Sequence, residues 1–220
     1  MEGDDAPYVA FFDLETAERI DEMTGRYRED KVKQLTVSCA SVLIVPSELC
    51  VDPKDREKAI EMGAMRTYWV DGEGSTSLQA MVDVLCRAEL TCGYNVAGFD
   101  WPVLRKYFSS HTALQRCLAR SHDIFSRVRD VTSVWYKLDR LLTVNGLETK
   151  TADGLMAIQW WKAGNREDLQ LYCECDVRQM ARLALLPSLD LGGGNSLPNH
   201  VHGVAAALAS VRASDALQSA

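Results

Sequence analysis

The 220-residue sequence predicts an α/β domain: a mixed sheet of about five strands with flanking helices. Three observations predict it. Short runs of apolar, branched and aromatic residues come first, at residues 8–12, 34–45 and 66–70. From residue 75 onward, strand-like runs alternate with segments of helical spacing. The composition, 47% apolar and 25% charged, is that of an ordinary globular chain, which excludes collagen-like, mostly disordered and disulfide-scaffold classes.

The elements follow in order. Tyr8-Val9-Ala10-Phe11-Phe12 is apolar at every position and reads as a buried strand ending at Asp13. Residues 17–33 are polar and charged and read as a connection. Alternation of Leu35, Val37 and Cys39 begins a second strand, expected to be antiparallel to the first, and Pro46 closes it. Residues 66–70 make a third, ended by Asp71-Gly72-Glu73-Gly74. Ser75 or Ser77 caps a helix running to about residue 89, with Leu78, Met81, Val82 and Leu85 on one stripe. Residues 90–94 are a fourth strand, Pro102 suits the first turn of the next helix, and 122–125 offer a fifth strand. Residues 131–142, 152–163 and 166–186 have helical spacing, and Pro187 ends the last. One domain over residues 1–190 is therefore expected. Residues 191–220 then form a flexible Gly/Ala/Ser-rich tail that adds little to the fold, although 204–218 have the pattern of a weak amphipathic helix.

Charge and cysteine usage bound the setting. The formal charge is -7, which argues against gripping nucleic acid by bulk charge, yet residues 101–150 hold nine bases against four acids. Such a stretch suits a phosphate track or a solvated helix face equally well. The seven cysteines have no framework spacing, and Met1-Glu2-Gly3-Asp4-Asp5 lacks the basic start of a secretory leader. No apolar stretch approaches the roughly 20 residues of a membrane helix. Reduced thiols in an intracellular compartment, cytoplasm or nucleus, are expected.

Three clusters carry candidate chemistry. Asp13 and Glu15, separated by one residue at a strand end, project to one side of the sheet, and paired carboxylates there suit a hard divalent cation; they also solvate a strand end. Asp100 ends a run from Gly93 in which Asn95, Gly98 and Phe99 look chosen to build one particular turn; a helix cap is its plain alternative. Tyr172 and Asp176 stand at i and i+4 on one helix face, where Asp176 can complete a metal site or pair with Arg178 or Arg182. Cys173 and Cys175 point roughly 200° apart on a helix and make a poor chelate. His122-Asp123 can support a metal site or simply satisfy its own hydrogen bonds. Trp160-Trp161 most simply packs one ring in the core.

Taken in order, Asp13-Leu14-Glu15-Thr16, Asn95 to Asp100, and Tyr172 to Asp176 resemble the three motifs of the DEDD superfamily of 3′–5′ exonucleases, in its tyrosine-bearing branch. The histidine branch would need His at the position of Leu171. The resemblance spans roughly residues 8–186 and looks closest to stand-alone or helicase-associated nuclease domains. It implies an RNase H-like fold and a two-ion mechanism with Mg²⁺ or Mn²⁺. Asp13 would bridge both ions, Glu15 and Asp176 would bind the water-activating one, and Asp100 would hold the other. Tyr172 would orient the attacking water. Leu14 and Thr16 would flank the terminal nucleotide, with Asn95 nearby and Phe99 or Trp101 stacking. Arg105, Lys106 and Lys150 would follow the phosphate backbone. The implied substrate is the 3′ end of single-stranded DNA or RNA, in a larger replication, repair or RNA-processing complex. A structure-selective endonuclease on the same fold and a non-catalytic nucleic-acid-binding subunit are the alternatives.

Overall fold

The structure, a computed structural model, describes residues 6–149 and 154–218. In chain order its elements are β1 (Tyr8–Thr16), α1 (Arg28–Val32), β2 (Val37–Pro46), α2 (Arg56–Met62), β3 (Ala64–Trp69), α3 (Leu78–Arg87), β4 (Leu90–Gly93), α4 (Asp100–Leu104) and α5 (His111–Ala119). There follow β5 (Ser121–Asp123), α6 (Ile124–Thr132), α7 (Leu138–Val144), α8 (Gly154–Ala163), α9 (Arg166–Ala184), β6 (Ser188–Gly192), β7 (Asn195–Pro198), α10 (Asn199–His202) and α11 (Val204–Gln218). The main sheet has the order β3-β2-β1-β4-β5. β1–β2 and β2–β3 pair antiparallel, whereas β1–β4 and β4–β5 pair parallel. This is the expected five-stranded mixed sheet with an antiparallel second strand.

β1 is the central strand, and its sequence shows why. Val9 and Phe11 pack into one core with Leu43, Leu90 and the α9 residues Val177 and Met180. Ala10, Phe12 and Leu14 pack into a second core with Val42, Met81, Leu85 and Leu104. A strand covered on both faces needs apolar side chains at every position, so the run does not alternate. The period of two puts Asp13 and Glu15 on the parity of Phe11, the face that α9 covers. Across α9, Tyr172, Cys173, Asp176, Val177, Met180 and Ala184 form the buried stripe. Ser77 caps α3, its hydroxyl accepting from the Ala80 amide at 3.2 Å.

Two expectations differ from the structure. The helix expected over residues 131–142 is broken: α6 ends at Thr132, Ser133 takes the left-handed conformation (φ 58°), and α7 starts only at Leu138. The left-handed residue lets the Ser133 amide close back on the Arg129 carbonyl at 2.7 Å. The second difference lies in the segment expected to add little. Residues 188–198 form an antiparallel hairpin whose turn uses Gly192, Gly193 and Gly194, all at positive φ. Leu189, Leu191, Val204 and Leu208 are buried in the core shared with β1 and α9. α11 is pinned further by Arg212 to Glu89 (2.5 and 3.1 Å) and Arg120 to Asp215 (3.1 and 3.2 Å).

His202 makes this segment sensitive to pH. Its ring is buried, Nδ1 lies 3.0 Å from the Pro198 carbonyl, Nε2 has no hydrogen-bond partner among the described residues, and burial pulls its pKa down from 6.5 to about 4. The unfolded chain then binds a proton that the folded chain refuses, so the contribution of His202 to stability falls as the pH drops below about 6.5 and is fully lost below about 4. The expected loss is about 3 kcal/mol. Thermal unfolding followed across that range should show it in the native protein and much less of it in His202→Gln. A variant that keeps the full acid slope would remove His202 from the account.

Candidate active site

The site is built where β1, β4, α4 and α9 meet. Asp13 and Glu15 leave the end of β1 on the face toward α9, whose Tyr172 and Asp176 lie one turn apart on its buried stripe. Packing there is close: the Cys173 thiol lies 3.6 Å from the Asp13 carbonyl. Carboxylate oxygens of Asp13, Glu15 and Asp176 all fall within 4.8 Å of one another. Residues 13, 15 and 176 are thus brought together across more than 160 positions of sequence.

Asp100 enters from the other side, on the first turn of α4. The turn from β4 into α4 is held by several devices. Asn95 is left-handed (φ 62°), which Asn tolerates better than most residues. A Cβ on Gly98 would come within 2.7 Å of Asn95 Oδ1, and one on Gly93 would strike Val96 Cγ1. The Trp101 amide closes the turn on the Val96 carbonyl at 2.9 Å. The Asp123 carboxylate accepts from the amides of Asn95 (2.7 Å) and Ala97 (3.1 Å) while also capping α6 through Ser126.

Asp100 is only 2% exposed, and its Oδ1 has no hydrogen-bond partner among the described residues. Burial, and after it the neighbouring Asp13 charge, pushes its carboxyl well above the usual carboxylate range. The site therefore has a trio, Asp13/Glu15/Asp176, and a pair, Asp13/Asp100, with Asp13 common to both. Four hard oxygen donors, one buried with an unused oxygen, fit a divalent cation such as Mg²⁺ or Mn²⁺. The adjacent Cys173 is not in this group: its thiol is turned to the Asp13 carbonyl, and a hydrogen bond with Cys39 and burial push it up. Cys173 is fully buried and Cys175 half-buried.

Outside the carboxylates lies an open cleft of about 730 Å³. Of the sequence candidates, Asp13, Leu14, Glu15, Thr16, Asn95, Phe99, Asp100 and Tyr172 line it. Tyr172 is otherwise buried, its ring 5.9 Å from that of Trp160. Several other expectations are corrected or redirected. Trp101 is only 3% exposed, stacks on Phe12 at 4.9 Å and donates from Nε1 to Ser121, so it is a core residue. Arg105 and Lys106 do not line the cleft; the Lys106 ammonium donates to the Leu35 carbonyl at 2.6 Å. Lys150 lies outside the described residues. Arg178 pairs with Glu174 and Arg182 with Glu57. Trp161 lies under Arg166 (4.1 Å), which also covers Trp69 (4.7 Å) and binds Asp71.

The sequence reading missed Arg19, Arg28, Tyr94, Leu155 and Ile158 on the cleft wall. Arg28 sits in a polar segment without periodicity, so no signal distinguished it. Acids outnumber bases around the cleft: Glu18, Asp21 and Asp139 join the catalytic candidates, against Arg19 and Arg28. A polyanion can approach such a wall only with cations between them.

Comparisons with known proteins bear on the fold. No curated protein matches the chain. Among solved structures, Escherichia coli exonuclease I in complex with a 5cy-dT13 oligonucleotide is similar at 15% identity and a TM-score of 0.39. That match covers 76% of this chain and 42% of the other, so this chain spans less than half of that protein's length. Among the described residues no helix is long and apolar enough to cross a membrane. The RNase_H_2 model of the RNase_H superfamily matches residues 61–186, a span holding Asp100, Tyr172 and Asp176 and starting beyond Asp13 and Glu15. That match covers more than half of the sequence, and together with the five-stranded sheet it makes this chain a member of the RNase H superfamily.

Proposed function

We propose that the chain is a metal-dependent 3′–5′ exonuclease of the tyrosine-bearing DEDD branch, releasing 5′-mononucleotides from single-stranded or frayed DNA or RNA. The observation that carries this reading is the meeting of Asp13, Glu15 and Asp176 within 4.8 Å, behind an open cleft lined by Asp13, Glu15 and a buried Asp100. Asp13, Glu15 and Asp176 would together hold one divalent ion, and Asp100, beside Asp13, would help to hold a second. When bound, such ions acidify a water and neutralise the charge growing on the phosphate and the leaving oxygen. Tyr172 orients that water; a phenol, with its ordinary pKa near 10, is a poor base by itself. Leu14 and Thr16 flank the terminal nucleotide, Phe99 offers a ring to its base, and Arg28 meets a phosphate across the cleft. Asn95 acts mainly by shaping the turn that carries Asp100.

The test is a time course with 5′-labelled single strands of DNA and RNA and their duplexes, in Mg²⁺, Mn²⁺ or chelator. The expected result is a ladder shrinking one nucleotide at a time from the 3′ end and abolished by chelator. Discrete internal cuts would replace this reading with an endonuclease. Strands bound but uncut under every condition would leave a nucleic-acid-binding subunit. DNA and RNA arms of one sequence decide which sugar the site prefers.

A further inference from the structure

Trp135 is the most exposed tryptophan or tyrosine among the described residues, at 74%, and it stands between Val134 and Tyr136 in the break between α6 and α7. It is nonetheless held in place. The Phe125 ring meets it edge-on at 5.3 Å, and the Arg129 guanidinium lies 5.9 Å from its centroid and 5.8 Å from that of Phe125. The backbone beneath is fixed as well. Ser133 is left-handed, the Thr132 hydroxyl donates to the Val128 carbonyl at 2.7 Å, and the Val134 amide donates to that hydroxyl at 3.1 Å. The indole is thus held out from the core on a fixed turn.

This platform is continuous with the cleft. The Tyr94 ring, on the cleft wall, packs on Phe125 at 5.7 Å, and its hydroxyl donates to the Tyr136 carbonyl at 2.8 Å. Asp139, at the start of α7, lines the cleft too. The segment carrying the indole is basic in an acidic protein: residues 127–140 hold Arg127, Arg129, Lys137 and Arg140 against Asp130 and Asp139. Arg129 shares its charge with Asp130 (2.9 Å), Arg127 donates to the Val201 carbonyl, and Arg140 lies over the Tyr136 ring at 5.3 Å. An open indole beside a guanidinium, in a segment with a surplus of bases, matches one polymer chemistry: flat bases joined by phosphates.

We propose that Trp135 is a base-stacking platform for the single strand whose 3′ end enters the carboxylate cleft, with Arg129 and Lys137 meeting the phosphates on either side. The proposal rests on the nuclease reading above. It sets a minimum strand length for tight binding, because a strand must reach from the carboxylates past Tyr94 and Phe125 to the indole.

The test compares affinity for a long single strand with affinity for a dinucleotide, in Ca²⁺, for the native protein, Trp135→Ala and Trp135→Phe. Stacking of one base predicts that Trp135→Ala weakens long-strand binding about ten- to a hundredfold, so that the advantage of length collapses. Trp135→Phe keeps a ring and recovers most of it. Trp135→Phe keeps a ring against Phe125 and Arg129 and should keep the melting temperature, whereas Trp135→Ala loses both contacts and should lower it slightly while staying folded at the assay temperature, which separates lost binding from lost folding. If the native protein shortens strands from the 3′ end while Trp135→Ala retains the full length advantage, the platform is wrong and the nuclease reading survives. If the native protein neither cleaves nor binds any strand, both fall. An unaltered length advantage joined to a loss of self-association or of a protein partner would reassign the patch to protein docking.

Discussion

Asp13→Asn is expected to slow 3′-end cleavage by roughly 1,000- to 10,000-fold and, with the metal removed, to make the protein more stable. Both effects follow from the position of one carboxylate. Asp13 lies within 4.8 Å of Glu15 and Asp176, and its charge is the largest influence after burial in raising Asp100. Without it each half of the site is one donor short. A lost share of several kcal/mol in transition-state charge stabilisation, at 1.36 kcal/mol per factor of ten, gives the expected rate loss. The same change relieves repulsion among the clustered acids, adding on the order of 1 kcal/mol, or about 2–4 °C, in chelator. In Mn²⁺ the order reverses, because the native protein gains binding free energy that the variant cannot. Rates and melting temperatures measured side by side in chelator, Mg²⁺ and Mn²⁺ check both signs. A variant within tenfold of the native rate contradicts the assignment of Asp13. A native protein whose melting temperature ignores Mn²⁺ contradicts the metal site itself.

How far the sequence could be read depended on whether the signal was local. Apolar residues at every position of 8–12 mark a strand covered on both faces, and the two-residue period places Asp13 and Glu15 on one side. Spacing of four on one helix does the same for Tyr172 and Asp176. What no spacing states is that α9 packs across β1 and brings Asp176 to Asp13; that came from resemblance alone. The C-terminal segment was misread because glycine has two meanings. Gly192, Gly193 and Gly194 look like a linker, but each has positive φ in a hairpin turn, and the alternation of Leu189 and Leu191 beside them marks a strand. α11 buries only a thin stripe of Val204 and Leu208, which an Ala-rich sequence barely advertises. The basic stretch misled in another way: it counted charges without their directions. Lys106 is turned to a backbone carbonyl, while Arg28 faces the cleft from a segment with no pattern to flag it.

Asp123 brings local and long-range signals together, and Asp123→Ala is expected to cost about 3–5 kcal/mol of stability and most of the catalytic rate. Its carboxylate accepts from the Asn95 and Ala97 amides at 2.7 and 3.1 Å, and from the Ser126 hydroxyl and amide at the start of α6. Hydrogen bonds to a charged group contribute about 1.5–3 kcal/mol each, and a lost cap adds about 1 kcal/mol. The turn so released is the one that sets Asp100, five residues after the left-handed Asn95. Misplacing a reacting group by about 1 Å costs on the order of a hundredfold in rate. Asp123 touches neither strand nor ion in this account, so it is a positioning residue, and its signature differs from that of Asp13. The turnover rate should fall while the KM for the strand changes little, and saturation should require more Mn²⁺. Asp123→Asn keeps one carbonyl acceptor for the Asn95 amide and should recover part of both the stability and the rate. Native turnover in a destabilised Asp123→Ala protein would show that Asp100 holds its place without this support, and that the turn geometry of Gly93, Asn95 and Gly98 suffices.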